Sequence, residues 1–402
     1  MKNYKIQIVS VFSFMLISII GCIEPFETTN LTFEDVLVIE GRLTNENKFH
    51  TIKLSRTFQI DSTDPSPERN AKVSVIEDGT IVHNFTEQEA GVYTTDNSFS
   101  AKANTIYQLK IETQNGKTYS STDQNLTETA EVEAINFKVT KKQFEDEDEV
   151  EITVNSFSNN ADAKYFFYEY EETYQIVSRF WSSFTLDTSV YPPLAVKRAD
   201  PEFGRVCYGT NVSSEILQAE TSNLSENRVV DFKIRSIPPT DFILRDRYSI
   251  LVKQYVQTLN AYSYFEILDK FSTSENVFAQ SQVSFIQGNI FSDTDPEEKV
   301  IGFFEVNSVA TKRLFFNKED VLQNQFSDFP ETCEPRVIPK FGNFGSRPLE
   351  EAIQEGYIFY NFGDSGLTDV DDMNDLPFVM VKRPCGDCTV FGSNVKPDFW
   401  ID

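Results

Sequence analysis

The feature that most constrains the fold is an alternation of apolar and polar residues with a period of two, which begins near Val36. This period is typical of half-buried β-strands, because successive side chains of a strand point to opposite faces. The dipeptides Asp78-Gly79 and Asn115-Gly116 interrupt the alternation. Both favour two-residue hairpin turns, whose central residues need positive φ. The sequence therefore predicts a series of antiparallel hairpins.

We expect residues 36–125 to form an immunoglobulin-like β-sandwich, since about seven short strands separated by turns are typical of that architecture. The Cys…Trp…Cys core of true immunoglobulin domains does not occur in this stretch. Residues 126–402 are predicted to form a larger β-rich domain with one amphipathic helix near residues 258–271. The apolar residues expected on one side of that helix are Tyr262, Phe265, Ile267, Leu268 and Phe271. The predicted fold class is mainly β.

The N-terminus has the pattern of a bacterial lipoprotein signal peptide, predicted over residues 1–21. Lys2 and Lys5 precede an uncharged apolar run that ends in Ile-Ile-Gly before Cys22. The run is too short for a membrane-spanning helix, which needs about 20 apolar residues. We expect lipid attachment at Cys22, followed by a tether over residues 22–35. The alternative is an ordinary signal peptide in which Cys22 is incidental.

The formal charge of the chain is −26, and removal of the signal peptide with its two lysines makes it more negative. Nucleic-acid binding requires a basic surface, so this class of partner is excluded. Electrostatic adsorption to anionic lipid is disfavoured for the same reason. We therefore expect the membrane to be reached only through the N-terminal lipid. The acidic residues are interpreted as a solvated surface that keeps the protein soluble.

Four cysteines follow Cys22 in the sequence: Cys207, Cys333, Cys385 and Cys388. An even number in an exported chain predicts two disulfides, and four cysteines allow three connectivities that the sequence does not rank. Cys385 and Cys388 also have the spacing of a redox motif. A redox cysteine needs a helix N-terminus to lower its pKa, and the residues around this pair are typical of a strand or loop. A structural disulfide that pins the C-terminal segment is the favoured interpretation.

No catalytic residues, metal ligands or cofactor are predicted. The only histidines, His50 and His83, fall at expected strand edges, away from any nucleophile motif, and are interpreted as surface side chains. A cluster of aspartates could offer oxygen ligands to Ca²⁺, but its spacing departs from that of an EF-hand loop. The members of this cluster are Asp369, Asp371, Asp372 and Asp375.

Residues 178–209 form a long irregular stretch that contains Trp181 and the dipeptide Pro192-Pro193. Irregular segments of this length are usually functional or disordered. Two interpretations stay open. The aromatic side chains could face a partner, or the loop could fold back over the core.

Several short motifs occur in an order that resembles one protein family. The mature chain opens with Cys-Ile-Glu-Pro-Phe-Glu, continues with Leu-Val-Ile-Glu-Gly and Lys-Leu-Ser, and closes with Cys-Gly-Asp-Cys and Lys-Pro-Asp-Phe-Trp. Between them lie Tyr-Ser-Tyr, Gly-Asn-Ile-Phe-Ser and Val-Ile-Gly-Phe-Phe. Together these resemble the Bacteroidota lipoproteins that carry the domain of unknown function 4249. The resemblance implies an outer-membrane lipoprotein, often encoded beside a TonB-dependent receptor, and implies no reaction.

From these patterns we expect a non-enzymatic, lipid-anchored accessory or binding protein of the outer membrane, with a surface-exposed location as one possibility. Its expected partner is a TonB-dependent β-barrel receptor that takes up nutrients. A structural or adhesive protein of the cell envelope is the first alternative. A hydrolase acting on glycans or peptides is the second, since paired carboxylates can be imagined in so acidic a chain.

Overall fold

A computed structural model describes residues 35–57, 65–141, 148–273, 286–321, 329, 332–341, 346–363 and 376–402. Four sequence predictions lie outside these ranges. They are the signal peptide, the lipid attachment at Cys22, nearly all of the tether, and the aspartate cluster at residues 369–375.

The chain is mainly β, as predicted. The strands of the first half are β1 Leu37–Thr44, β2 Thr51–Arg56, β3 Ser66–Pro67, β4 Lys72–Glu77, β5 Ile81–Glu89, β6 Val92–Thr95, β7 Ile106–Glu112, β8 Thr118–Ser121, β9 Gln124–Asn125, β10 Glu131–Lys141, β11 Asp148–Ser158 and β12 Tyr165–Val177. The later strands are β13 Phe184–Asp187, β14 Leu194–Lys197, β15 Val206–Val212, β16 Leu217–Glu220, β17 Asn227–Ile237, β18 Arg247–Gln257, β19 Ile290–Ser292, β20 Val300–Asn307, β21 Val309–Asn317, β22 Arg336–Ile338, β23 Tyr357–Phe362 and β24 Phe378–Lys382.

The described α-helices are α1 Leu259–Thr273, α2 Lys318–Val321, α3 Pro348–Gln354 and α4 Arg383–Gly386, and two 3₁₀ turns cover Phe242–Leu244 and Cys388–Val390. Helix α1 confirms the helix predicted near residues 258–271. None of the helices in the described ranges has the length and apolar content needed to cross a membrane.

The first unit is one sheet with the strand order β19-β8-β7-β4-β5-β6-β2-β1-β20, to which β3 and β9 add short pairings. The predicted turn at Asp78-Gly79 joins β4 to β5, and both of its residues have positive φ. The two ends of the sheet meet. The Phe304 amide donates to Asn289 Oδ1 and Asn289 Nδ2 donates to the Phe304 carbonyl, each at 2.8 Å. The sheet thus encloses one apolar core.

This first unit extends past the boundary predicted between residues 125 and 126. Strand β19 pairs antiparallel with β8, and β20 pairs in parallel with β1 along its whole length. Gly302 of β20 has a φ of +145°, and a Cβ there would lie 2.2 Å from the Ile39 carbonyl oxygen. Only glycine fits so close a backbone approach. The later part of the chain therefore supplies two strands to a sheet that the sequence assigned to residues 36–125.

The middle unit has two facing sheets, with the orders β10-β11-β17 and β15-β12-β18-β21. Alternate residues of β11, β12 and β18 point between these sheets, where Val150, Ile152, Phe166, Tyr168, Ile250 and Val252 are buried in one core. The opposite face of β12 and β18 is turned towards the first unit, and this face carries the side chains of the site.

The C-terminal unit contains the hairpin β13–β14, the sheet β22-β24-β23 and helix α3. A small core of Leu349, Phe359, Phe378 and Met380 holds these elements together. The stretch 178–209, which was predicted to be irregular, thus contains the short paired strands β13 and β14. Its proline and aspartate residues are not typical of strands, so the sequence did not predict this pair.

Helix α1 lies on the outer surface of the first unit, and its buried face differs from the predicted one. Ala261 and Tyr264 are buried against Phe303 of β20, with Phe265 and Leu268 partly buried beside them. Two residues predicted on the packed side, Ile267 and Phe271, are 42% and 41% exposed. Both residues instead line a pocket beside the helix, together with Ile286 and Phe303.

Candidate functional site

A cleft of about 530 Å³ lies between the first unit, the middle unit and helix α1. Strands β1, β2 and β20 form one wall and β12 the opposite wall, while α1 closes one side. A volume of this size falls in the usual range of small-molecule sites, about 300–1,000 Å³. We call it the interunit cleft.

Arg42 lies at one end of this cleft because of the alternation of β1. Leu37, Ile39 and Leu43 point into the first core, which places Arg42 on the outer face. Its guanidinium lies over two neighbouring aromatic rings, 4.7 Å from the centroid of Phe167 and 4.2 Å from that of Tyr255. Stacking on both ring faces stabilises a cation electrostatically.

Two carboxylates neutralise this guanidinium. Arg42 Nη1 donates to Glu169 Oε1 at 2.6 Å, and Arg42 Nη2 lies 3.6 Å from Glu305 Oε1. Burial alone would lower the pKa of Arg42, but Glu305 and then Glu169 raise it overall. The arginine therefore stays charged, and the group as a whole has one more negative than positive charge.

Glu305 is the buried member, with 2% of its surface exposed. Gln257 Nε2 donates to both of its oxygens, at 3.1 and 3.2 Å. Burial raises the pKa of Glu305 above its usual value, although Arg42 and Gln257 act in the opposite direction. Removing a carboxylate from water is costly unless partners replace the lost hydration, and here the partners come from both β units.

Glu169 differs because 38% of its side chain is exposed. One oxygen accepts the Arg42 bond and the other accepts a hydrogen bond from the Tyr255 hydroxyl at 2.9 Å. A carboxylate can accept about four hydrogen bonds. Glu169 thus keeps acceptor capacity on the side that faces the cleft.

The remaining wall of the cleft is largely apolar, and its members are Val38, Phe167, Phe265, Leu268, Ile301 and Phe303. Tyr264 adds a hydroxyl that is hydrogen-bonded to the backbone of Gly302, and burial raises the pKa of Tyr264 to about 12. This phenol is therefore neutral at physiological pH. The combination of apolar walls with a few fixed polar groups is typical of ligand sites.

Two further pockets flank the other side of helix α1, with volumes of about 420 and 600 Å³. They share Thr122, Asn260, Asn289 and Phe303 in their walls. The larger one is also lined by Tyr264, which lines the interunit cleft as well. Helix α1 thus has open space along both flanks.

The histidines do not belong to this site, and His50 is not the surface side chain that was predicted. It is 1% exposed, and its Nε2 lies 2.9 Å from the Phe99 carbonyl oxygen. Burial lowers the pKa of His50 to about 4. His83 stacks on the Phe99 ring at 3.8 Å and lies 2.7 Å from Glu77. In the described residues, no three metal-ligating side chains are grouped as a metal site.

The four cysteines form two pairs at disulfide distance, Cys207 with Cys388 and Cys333 with Cys385. The two cysteines of the Cys-Gly-Asp-Cys motif therefore bond to different partners. They lie in two short helical turns, α4 and the 3₁₀ turn Cys388–Val390, where the sequence favoured a strand or loop. The first pair ties the C-terminal segment to β15 of the middle unit.

The aromatic stretch 178–209 folds back in one part and is exposed in another, and a partner for the exposed part stays a prediction. Trp181 folds back, since its indole N–H donates to the Phe203 carbonyl at 3.1 Å, and Phe184 packs against Phe359 and Phe362. Tyr191 is 57% exposed beside Phe341, which is 62% exposed. Its strands β13 and β14 lie in the C-terminal unit, and its last residues begin β15 of the middle unit. None of its residues lines the interunit cleft.

Sequence reasoning missed Arg42, Glu169 and Glu305. One signal for Glu305 is its place in the run Val-Ile-Gly-Phe-Phe-Glu-Val, where a charge interrupts a nearly continuous apolar strand. Such runs belong to strands that are buried on both faces. A carboxylate there has to find a partner inside the protein.

The fold and the cleft together define a mainly β protein with a ligand-sized site where two β units meet. A family model described as a domain of unknown function, DUF4249, matches residues 23–313, and the chain belongs to this family. No curated protein matches the chain.

Four of the motifs that carried the resemblance come together in space at the interunit cleft. The cleft is lined by Gly41 of Leu-Val-Ile-Glu-Gly, Lys53 of Lys-Leu-Ser, Tyr264 of Tyr-Ser-Tyr, and Gly302 and Phe303 of Val-Ile-Gly-Phe-Phe. The first of these segments lies in β1 and the last in β20, which are far apart in sequence. The parallel pairing of β1 with β20 brings the two segments next to each other.

Proposed function

We propose that this protein is a non-enzymatic binding protein that is anchored to the outer membrane by lipid on Cys22 and assists a TonB-dependent receptor in nutrient uptake. The observation that carries the binding role is the interunit cleft, with its apolar walls and its buried Arg42–Glu305 pair. Such a pair costs stability relative to apolar packing. Recognition of a ligand would explain why the protein has charged side chains at this position despite their cost in stability.

The anchor and the partner rest on the sequence. Cys22 follows a short apolar run with a small residue before the cysteine, and the formal charge of −26 disfavours electrostatic adsorption to anionic lipid headgroups. Attachment through acyl chains would hold the cleft near the membrane, where a β-barrel receptor imports ligands. The receptor as partner comes from the family resemblance.

Affinity purification from detergent-solubilised membranes tests the partnership. A tag after Asp402 on the full chain is expected to recover a β-barrel receptor. The Cys22→Ala variant is the matched control, because it cannot be acylated and is expected to leave the membrane fraction and lose the receptor. Recovery of the lipoprotein alone, with no barrel, would contradict the proposed partner.

A structural or adhesive role is the second candidate, and exposed apolar side chains on the C-terminal unit favour it. Tyr191 and Phe341 lie together at the surface, and Val337 of β22 is 63% exposed. Contiguous exposed apolar residues often mark contact surfaces. A deletion strain that loses attachment or envelope integrity but keeps normal nutrient uptake would support this second role over the first.

A further inference from the structure

The charged groups of the interunit cleft are unequal in number. Its lining contains three carboxylates, Glu40, Glu169 and Glu305, and two cationic side chains, Arg42 and Lys53. With all three carboxylates ionised, the lining has an excess of one negative charge, within a chain whose formal charge is −26. A cleft with low-dielectric walls concentrates the field of such charges.

An anionic ligand does not fit this arrangement. The guanidinium of Arg42 already lies against Glu169 and Glu305 and contacts the rings of Phe167 and Tyr255. An anion would have to displace Glu169, which itself holds the Tyr255 hydroxyl. Lys53, the other cationic side chain that lines the cleft, lies directly opposite Glu40 in the β1–β2 pairing, so an anion at Lys53 would also meet a carboxylate.

A cationic ligand meets available acceptors. Glu169 on β12 accepts one hydrogen bond on each oxygen and is partly exposed, and Glu40 on β1 is exposed on the opposite wall of the cleft. Within the described ranges, Glu40 makes no ion pair. The apolar side chains of Phe265, Leu268 and Ile301 lie along the rest of the cleft and can cover a hydrophobic body.

We propose that the interunit cleft binds a small apolar molecule that carries one positive charge, with its cation beside Glu40 and Glu169 and its apolar part between helix α1 and β20. This proposal rests on the binding role proposed above and names the ligand class. The cation completes the charge balance of the cleft, and the apolar contacts supply most of the area removed from water.

Isothermal titration calorimetry on the full mature chain tests the proposal with three probes of equal chain length. They are n-octylamine, n-octanol and octanoate at pH 7, which are cationic, neutral and anionic. We expect n-octylamine to bind about tenfold more tightly than n-octanol, as for one added hydrogen bond to a charged group. Octanoate should bind more weakly than either.

Two variants locate the binding. Ser214→Trp places a bulky ring at the exposed rim of the cleft and is expected to abolish binding of n-octylamine and n-octanol. Glu40→Gln is expected to reduce the preference for n-octylamine over n-octanol by a factor of about three, since an exposed charge contributes less than a buried one. Glu89→Gln, an exposed carboxylate on β5 away from the cleft, is the matched control and should change neither. Circular dichroism confirms that each variant is folded.

The outcomes separate the ligand class from the binding role. Equal affinities for the three probes, with binding still lost in Ser214→Trp, would overturn the cationic ligand and leave the cleft as a binding site. Tighter binding of octanoate would overturn it as well. Binding that persists in folded Ser214→Trp, or no binding of any probe, would overturn the cleft as the ligand site.

Discussion

The two faces of the paired strands β1 and β20 present a direct contrast. On the inner face, Leu37, Ile39 and Leu43 of β1 belong to the apolar core around Phe304, which is fully buried. The outer face carries Arg42 and Glu305, whose charges are enclosed between the two β units. Both faces belong to the same strands and the same register.

The inner face of β1 and β20 stabilises the fold, whereas the outer face is where we expect function. The inner face follows the rule that apolar side chains leave water, and it determines how the sheet closes. The outer face breaks that rule, because it buries charges that apolar residues could replace at lower cost. This difference identifies the outer face as the place where function is expected.

The largest effect is expected on the inner face. Phe304→Ala should lower the free energy of unfolding by about 3–5 kcal/mol, because it removes a fully buried ring and leaves a cavity. The loss should be the same at pH 5 and pH 7.5, measured by urea denaturation, since no titrating group is changed. Ile301→Ala on the outer face is the control and should cost less, because Ile301 is only partly buried. An equal decrease in the free energy of unfolding in both variants would contradict the proposed difference between the two faces.

On the outer face, Arg42→Met should lower the free energy of unfolding by about 3 kcal/mol at pH 7.5, because Glu305 is left buried without its cation. The pKa of Glu305 is already raised in the folded state. When folding raises the pKa of a carboxyl group, the folded state is destabilised at pH values above the folded-state pKa. This destabilisation decreases as the pH falls through the folded-state pKa towards the unfolded-state pKa. The loss should therefore be smaller at pH 5 than at pH 7.5.

The double variant Arg42→Met with Glu305→Gln is the control for this prediction. It removes both charges and should recover most of the stability lost in the single variant. A loss that is independent of pH, or one that the double variant does not reduce, would show that the charge pair is not what distinguishes the outer face.

His50 sharpens the comparison, because it is a titratable group buried in the first unit. Its folded pKa of about 4 lies below the usual value of 6.5. Because folding lowers the pKa of His50, the folded state has its full stability above pH 6.5, where the ring is neutral in both states. As the pH falls towards 4, the unfolded state takes up the proton first, and about 2–3 kcal/mol of stability is lost. Histidine-selective NMR titration measures the pKa directly, and His50→Gln assigns the signal. A titration midpoint near 6.5 would contradict the burial of this ring.

The smallest effect is expected at the rim of the cleft. Glu40→Gln should change the free energy of unfolding by less than about 0.5 kcal/mol, because Glu40 is exposed. Thermal denaturation of this variant and of Glu89→Gln should give matching curves. A clear loss in Glu40→Gln alone would mean that Glu40 supports the fold, and its place in ligand recognition would have to be withdrawn.

Local patterns predicted the local structure well. The alternation of residues predicted the mainly β fold, and the dipeptide Asp78-Gly79 predicted the β4–β5 hairpin, because both depend on neighbours in sequence. The helix near residues 258–271 was also found, although the apolar spacing did not show that Ile267 and Phe271 would be exposed.

The site could not be predicted in the same way. The cleft depends on the parallel pairing of β1 with β20, and no local pattern in either strand specifies a partner so far away in sequence. Arg42 and Glu169 occupy positions where alternation predicts a solvent-facing side chain. Only the arrangement of the two β units turns these positions into an enclosed, charged site.

Hydrogen–deuterium exchange of the full chain, with and without n-octylamine, tests the central claim that the interunit cleft is the binding site. We expect slower exchange in peptides that cover Val38–Arg42, Phe167–Glu169 and Tyr264–Leu268, and no change in the disulfide-linked C-terminal segment. Protection confined to the C-terminal unit, or no protection at a saturating concentration, would contradict the account.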